Sequence, residues 1–181
     1  MGNRASMQPD PSPPDRSVHA PWTHFAAPEA LEGLGARIAP LLRAGEAVCL
    51  FGPLGAGKST LARGLVRALL GDPKAEVPSP TFTLAQAYEV HGLVLTHFDL
   101  YRLKRAEEAY EIGLDEALDI GAVVIEWSER LDGALPSDRL EIHLSAEPPP
   151  GQPAAKGRWA RMRGLGAWAG RLGTELTGRV G

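Results

Sequence analysis

The chain has 181 residues, a formal net charge of −3 at pH 7 and a single cysteine. This length is sufficient for one domain with a proper core, and one cysteine excludes an internal disulfide and is typical of a reducing compartment. The apolar runs are far shorter than the roughly 18 residues of a membrane helix, and the N-terminus has no apolar signal segment. We therefore predict a cytoplasmic protein without a membrane segment, whose buried Cys49 thiol is inert.

Charge is distributed unevenly along the chain. Residues 22–155 carry a net charge of −8, whereas residues 156–181 carry a net charge of +5. An acidic body is unlike a protein that binds nucleic acid by itself. The basic C-terminal stretch is interpreted as a solvated strand and chain end, with contact to tRNA phosphates or an acidic partner as the alternative. Its basic residues are Lys156, Arg158, Arg161, Arg163, Arg171 and Arg179.

The first half of the chain alternates strand and helix patterns. Residues 1–21 are rich in proline and poor in large apolar side chains, which predicts a disordered arm before a single domain over residues 22–176. Apolar spacing and proline and glycine signals predict the elements that follow. They are a short strand over 22–26, a helix from Pro28 to near Gly45, a strand over 47–51 and a helix over 60–70.

The second half is richer in strands. Prolines 78 and 80 exclude a helix at residues 78–81, because each proline pushes its predecessor towards extended geometry. The predicted elements are a hairpin of strands 84–88 and 93–99, a helix over 106–118 interrupted near Gly113, a buried strand over 122–125, paired strands 139–145 and 158–163, a short helix over 167–176 and a frayed tail at 177–181. This order predicts an α/β fold, a P-loop NTPase-like three-layer sandwich with a central mixed, mainly parallel sheet and a C-terminal antiparallel hairpin.

A phosphate-binding motif lies between the second predicted strand and helix. Residues 52–60 read GPLGAGKST and match the pattern G-x-x-x-x-G-K-[ST]. Glycines allow the backbone to approach phosphates, and the N–H groups at a helix N-terminus bind them. Lys58 is predicted to reach the β- and γ-phosphates of a nucleotide, and the Ser59 hydroxyl to hold Mg²⁺. The candidate nucleotide-binding residues are Pro53, Leu54, Gly55, Ala56, Gly57, Lys58, Ser59 and Thr60.

A nucleotide site of this class also needs carboxylates for Mg²⁺. Asp99 ends the predicted strand 93–99, and Glu126 follows the predicted strand 122–125. Both lie at the carboxyl ends of strands, where open α/β sheets bind ligands. We predict that both are linked to the metal, although a solvated carboxylate at a strand end is the plainer interpretation. With Lys58, they are the candidate catalytic residues.

Other polar and aromatic side chains near these positions give weaker signals. Residues 79–83 (SPTFT) are rich in hydroxyls, and Thr81 is a candidate sensor of the γ-phosphate and Mg²⁺; an ordinary loop is the alternative. Trp127 is predicted to be a buried indole, and His97 to be structural. Three arginines could each contact phosphate: Arg102, Arg105 and Arg130. For each of them we expect a solvated surface position instead.

Five motifs in this order and spacing resemble the bacterial TsaE (YjeE) ATPases. They are the loop at 52–60, SPTFTL at 79–84, HFDLYRL at 97–103, IGLDE at 112–116 and IEWSER at 125–130, and the resemblance extends over roughly residues 22–172. It implies a P-loop ATPase that supports formation of threonylcarbamoyladenosine next to the anticodon of tRNA. ATP and Mg²⁺ are the implied cofactors. The implied partner is the TsaB–TsaD complex, which transfers a threonylcarbamoyl group from an adenylate made by TsaC, and tRNA is expected to be contacted only through that complex.

The resemblance also implies residue roles. Lys58, Ser59 and Thr60 bind nucleotide and Mg²⁺, Asp99 is the Walker-B-like carboxylate, and Glu126 is metal-linked or catalytic. Ser59 departs from the family pattern, in which threonine is common at this position, but either hydroxyl can ligate Mg²⁺. Two other functions stay open: a small-molecule kinase, for which we find no arginine-rich lid segment, and a nucleotide-binding regulatory module without turnover.

Overall fold

The structure is a computed structural model that describes residues 18–90, 92–172 and 176. Eight strands and four α-helices lie in these residues. The strands are β1 (Val18–His19), β2 (Thr23–Phe25), β3 (Ala47–Phe51), β4 (Ala85–Val90), β5 (Leu93–Asp99), β6 (Ala122–Glu126), β7 (Arg139–Ser145) and β8 (Arg158–Leu165). The helices are α1 (Pro28–Ile38), α2 (Lys58–Leu70), α3 (Glu108–Glu111) and α4 (Leu114–Ile120), with short 3₁₀ turns at Ala39–Leu41, Ser128–Leu131 and Gly166–Trp168.

All eight strands form one mixed sheet. Its order is β1-β8-β7-β3-β6-β5-β4, and β2 pairs with β8 beside β1. The four central strands, β7, β3, β6 and β5, run parallel to one another. Antiparallel strands flank them, because β4 pairs with β5 as a hairpin and β8 pairs with β7. The carboxyl ends of β3, β5 and β6 therefore meet at the same edge of the sheet.

Helices cover the sheet on both faces, which gives three layers. Along β3, Val48 and Leu50 point towards α1 and α2, whereas Ala47 and Cys49 point towards α3 and α4. Such alternation of apolar side chains to both faces is expected for parallel strands that are buried on both sides. The predicted α/β P-loop NTPase-like fold and its C-terminal antiparallel hairpin are confirmed.

Helices α1 and α2 pack unusually closely. A methyl group added at Gly35 of α1 would lie 2.3 Å from the Leu61 carbonyl oxygen, and one added at Gly64 of α2 would lie 2.2 Å from the Glu32 carbonyl oxygen. The two backbones approach each other because these glycines have no side chain. This contact fixes the position of α2, whose N-terminus carries the predicted phosphate-binding loop.

The structure changes two details of the sequence-based interpretation and confirms the break predicted near Gly113. Val18 and His19 pair with β8, so ordered sheet begins inside the arm predicted over residues 1–21; residues 1–17 and the predicted tail at 177–181 lie outside the described residues. The interruption predicted near Gly113 in the helix over 106–118 is confirmed: α3 and α4 are separated at Gly113, which adopts a left-handed conformation with φ of 89°. The helix predicted over 167–176 begins as a 3₁₀ turn at Gly166–Trp168, and residues 173–175 of it are not described.

Candidate nucleotide-binding site

The loop of residues 52–57 connects β3 to α2 and relies on its glycines. Gly52 has φ of +136°, and a methyl group there would lie 2.4 Å from the Leu144 carbonyl oxygen. Gly57, the residue before α2, has φ of +107°, and a methyl group there would meet the Leu31 side chain at 2.5 Å. Only glycine adopts these conformations readily. The loop thus wraps tightly over the start of α2 and directs its backbone into a cavity beside the helix N-terminus.

Lys58 occupies the first turn of α2 and is almost fully buried. Its Nζ donates hydrogen bonds to the carbonyl oxygens of Gly52 and Pro53 and lies 3.6 Å from the centre of the Trp127 ring. Burial lowers the pKa of Lys58, and the nearby carboxylates of Glu129, Glu126 and Asp99 oppose that shift only in part. The ammonium group is therefore held by loop carbonyls and an indole face, an environment poorer than water for a positive charge.

Glu126 links α2 to the sheet. Its Oε2 accepts a hydrogen bond from the Ser59 hydroxyl at 2.7 Å, and its Oε1 lies 2.8 Å from His97 Nε2. Glu126 and His97 are both buried, on the neighbouring strands β6 and β5. Two residues that the sequence places far apart thus form one hydrogen-bonded chain with the residue after Lys58.

Asp99 lies beside Glu126 at the end of β5, because the two residues are register partners. Its Oδ2 accepts hydrogen bonds from the hydroxyls of Ser79 at 3.0 Å and Thr81 at 2.9 Å. Its Oδ1 accepts one from the backbone N–H of Tyr101 at 3.0 Å. The hydroxyl-rich segment 79–83 is therefore tied to Asp99, which places Thr81 at the cavity.

These elements surround a cavity of about 560 Å³. Nine of the eleven predicted site residues line it: Leu54, Gly55, Gly57, Lys58, Ser59, Thr60, Thr81, Asp99 and Glu126. The other two, Pro53 and Ala56, do not line it; the Pro53 carbonyl accepts from Lys58 and from the Ala56 N–H at 3.1 Å, so both shape the loop. The volume is of the size that holds a small ligand such as a nucleotide.

Comparison with known proteins extends this picture. The family described as "Threonylcarbamoyl adenosine biosynthesis protein TsaE" matches residues 25–152. The chain belongs to the TsaE family. Proteins named "tRNA threonylcarbamoyladenosine biosynthesis protein TsaE" are similar to it: that of Streptomyces coelicolor is 40% identical over 140 residues, which span 75% of this chain and 92% of that protein. That of Rickettsia conorii is 38% identical over 118 residues, 65% of this chain and 67% of that protein.

A solved structure has the same fold. The crystal structure of YdiB from Bacillus subtilis superposes with a TM-score of 0.68 and 25% identity, over 89% of this chain and 95% of YdiB. The TsaE match by sequence and the P-loop fold agree with the loop geometry described above. The resemblance seen in the five sequence motifs is confirmed at the level of the family.

Arg158 is a cavity residue that sequence reasoning missed. It lies on β8, beyond the region matched to the TsaE family, and its Nε donates to the Gly55 carbonyl oxygen at 2.8 Å. The sequence contains no local signal for this contact, because 103 positions separate the two residues. The residues beside Arg158 were also missed as cavity residues: Phe25, the register partner of Arg158, and Ala26, Ala27, Pro28 and Leu31.

The structure adds to what was predicted for two ring side chains. Trp127, predicted to be a buried indole, is partly buried against the core and also lines the cavity, and it has a positive φ of 61°. A positive φ is uncommon for a bulky residue and is often found at functional sites. His97, predicted to be structural, is buried and contacts Glu126, a candidate metal ligand.

The arginines considered as phosphate ligands lie outside the cavity lining. Arg102 lies over the exposed Phe82 ring at 5.5 Å, Arg105 pairs with Glu108, and Arg130 is exposed on a 3₁₀ turn. The solvated-surface interpretation of these three residues therefore agrees with their positions.

The basic C-terminal stretch is partly structural. Arg158 holds the loop, and Arg171 bonds the Leu41 carbonyl and pairs with Glu46. Arg163 lies 3.8 Å from Glu141. Arg161 is exposed over Trp22, and Arg179 lies outside the described residues. The stretch contains a strand, as predicted, but β8 is largely buried between β7 and the strands β1 and β2 and is not a solvated strand.

The donor set suits magnesium. Ser59, Asp99 and Glu126 offer one hydroxyl and two carboxylates, and Mg²⁺ prefers oxygen ligands completed by waters and substrate phosphates. Among the described residues, no group of three or more His, Cys, Asp or Glu side chains is arranged to hold a metal without such help. This arrangement fits a metal that arrives with a nucleotide.

Among the residues that the structure describes, no helix is long and apolar enough to cross a membrane.

Proposed function

We propose that this member of the TsaE family is a Mg²⁺-dependent ATPase that supports threonylcarbamoylation of the adenosine next to the anticodon in tRNA, acting with the TsaB–TsaD complex. The observation that carries the ATPase proposal is the convergence of Lys58, Ser59, Asp99 and Glu126 on one cavity at the carboxyl ends of parallel strands. The names of the similar proteins support the connection with tRNA modification.

In this proposal, the loop binds the phosphates of ATP. Backbone N–H groups at the start of α2 point to the β-phosphate, and Lys58 exchanges its hydrogen bonds to the Gly52 and Pro53 carbonyls for bonds to phosphate oxygens. The exchange is favourable because burial has already removed the ammonium group from water, whereas phosphate returns a full opposite charge. Phosphate binding thus compensates a charge that the folded protein holds unfavourably.

The polar residues at the ends of β5 and β6 would hold the metal. Ser59 contributes its hydroxyl oxygen, and Asp99 and Glu126 contribute carboxylates directly or through water. When bound, Mg²⁺ neutralises the charge that develops on the β- and γ-phosphates. Thr81, bonded to Asp99, lies where it would respond to the metal and the γ-phosphate.

Hydrolysis by the protein alone is expected to be slow. Among the described residues, Arg158 is the arginine that lines the cavity, and its guanidinium is bonded to the loop at Gly55. A partner that orders the segment 79–83 or supplies a positive group would raise the rate. We assign this role to the TsaB–TsaD complex, through which tRNA would also be contacted.

The decisive experiment measures ATP hydrolysis at saturating Mg²⁺ with and without TsaB–TsaD, with Lys58→Ala as the control for contaminating activity. A slow rate that rises with the complex and disappears in the control supports the proposal. Equal rates with and without the complex would refute the partner role. Phosphate transfer to a generic small acceptor would favour a kinase, and nucleotide binding without turnover under every condition would favour a regulatory module.

A further inference from the structure

The carboxylate of Glu126 is held from two sides by different parts of the fold. Ser59, in the first turn of α2, donates to Oε2, and His97, in the middle of β5, contacts Oε1. His97 and Glu126 each expose about 1% of their side-chain surface. A buried carboxylate keeps its charge only when it is well supplied with hydrogen bonds. These two contacts therefore determine its orientation.

The direction of the hydrogen bonds follows from the chemistry of the groups. An ionised carboxylate only accepts, so His97 must donate from Nε2 to Glu126. The other ring nitrogen, Nδ1, is buried and has no hydrogen-bond partner among the described residues. In a neutral ring protonated at Nε2, the one N–H group is paired with Glu126, and the atom without a partner is an acceptor, Nδ1. The imidazole is thus oriented by a single bond, and that bond ends on Glu126.

Ser59 is the next member of the chain. A hydroxyl has one proton to donate and two lone pairs. Because Ser59 donates its proton to Glu126, the lone pairs of its oxygen are turned away from that carboxylate and remain available to a cation. The orientation of the metal-binding lone pairs therefore depends on the position of Glu126, which depends in turn on His97.

We propose that His97 is a positioning residue for the magnesium site: it fixes Glu126, which in turn orients the Ser59 hydroxyl towards Mg²⁺. This inference depends on the proposed function, because it assumes that a magnesium nucleotide occupies the cavity. Residues that orient metal ligands typically change metal affinity by about 10- to 100-fold when they are replaced. His97 does not touch the nucleotide, so the effect should appear in the metal requirement and not in metal-free nucleotide binding.

Three substitutions at one position test the role. Gln places its amide N–H near the position of imidazole Nε2, Asn places it nearer that of Nδ1, and Leu removes the donor. The test is ADP binding by calorimetry, measured at a series of Mg²⁺ concentrations and again in excess chelator. His97→Leu and His97→Asn should raise the Mg²⁺ concentration for half-maximal binding about 10-fold or more. His97→Gln should stay within about threefold of wild type, and all three should bind ADP in chelator as wild type does.

His143→Leu is the matched control. The Nε2 of His143 lies 3.5 Å from the carboxylate of the buried Glu141, so it also faces a glutamate, but His143 is partly exposed and lies on β7, outside the cavity lining. Its replacement should leave the Mg²⁺ dependence unchanged.

The outcomes separate this proposal from the one before it. If wild-type protein binds no magnesium nucleotide, the proposed function is refuted and the role of His97 with it. If wild type binds and all three variants keep its Mg²⁺ dependence, only the role of His97 is overturned. Equal losses with magnesium and in chelator, in Asn and Gln variants alike, would also overturn it, because that pattern indicates a general structural effect. Should His97→Leu fail to fold by circular dichroism, the comparison of Asn with Gln decides.

Discussion

The close contact of α1 with α2 predicts opposite effects for one substitution at two neighbouring positions. Gly33 and Gly35 both lie inside α1, but a methyl group at Gly33 meets nothing within 4 Å, whereas one at Gly35 lies 2.3 Å from the Leu61 carbonyl oxygen and 2.6 Å from the Leu65 nitrogen. Replacing glycine by alanine in a helix interior stabilises the folded state by about 0.5–1 kcal/mol. This propensity term is the same at both sites, so it cancels in their comparison.

The difference between the two variants therefore measures the cost of separating the helices. Overpacking typically costs about 1–3 kcal/mol, and we expect the upper part of that range because the obstructing atoms are backbone. In a domain of this size, each kcal/mol changes the melting temperature by about 2–4 °C. Gly33→Ala should therefore melt slightly above wild type, and Gly35→Ala roughly 4–12 °C below Gly33→Ala by differential scanning calorimetry. Equal melting temperatures for the two variants would refute the close approach and the packing that positions α2.

The remaining predictions concern charge and thiol chemistry. Lys58→Met should abolish nucleotide binding without lowering the melting temperature at pH 7, because burial lowers the pKa of Lys58 and the folded protein therefore disfavours its charge. The unfolded chain binds the lysine proton more tightly than the folded protein does. The stability of wild type should therefore rise towards that of the variant as the pH approaches the ordinary pKa of lysine. A clear loss of stability in Lys58→Met would contradict this interpretation. Asp99→Asn and Glu126→Gln should each lower Mg²⁺-dependent turnover about 100-fold, while ADP binding in chelator changes little. If a variant loses both ADP binding and its fold, its carboxylate is structural instead. Burial raises the pKa of Cys49 to about 12, and a hydrogen bond from Ser128 lowers it by a smaller amount. A thiol reagent should therefore label Cys49 at pH 8 only in denaturant. Rapid labelling of the native protein would show that the strand β3 is accessible.

The sequence was sufficient for the parts of the fold that depend on local signals. The strand over 47–51, the loop and α2 follow from one apolar run, one glycine pattern and one helical face, and the structure places them as predicted. The hairpin of β4 and β5 was predicted from two strand patterns and a glycine turn. The pairing of Val18 and His19 with β8 was missed because two residues are too few for a periodic pattern, and their partner strand lies more than 140 positions away.

The candidate site divides in the same way. Lys58, Asp99 and Glu126 could be selected because each has a chemical type and a position at a strand or helix end that a phosphate site requires. His97 could have been connected to Glu126 from the sequence, since it precedes Asp99 by two residues and therefore lies on the same face of β5. Arg158 could not, because its contact with Gly55 depends on how far β8 extends beyond β7 at the edge of the sheet.

The position of β8 has a consequence for synthesis of the protein. This strand pairs with β1 and β2, which precede the other described strands in the chain, whereas β8 follows all of them. Domains generally fold as units, so we expect the central strands and the loop to reach their final packing only once β8 is present. The wall of the cavity at Arg158 and its support of Gly55 can form only after residue 165 is free to pair. A nascent chain should therefore become competent to retain nucleotide only after β8 has emerged, so a product that stops before β8 would carry the phosphate-binding motif without a finished pocket.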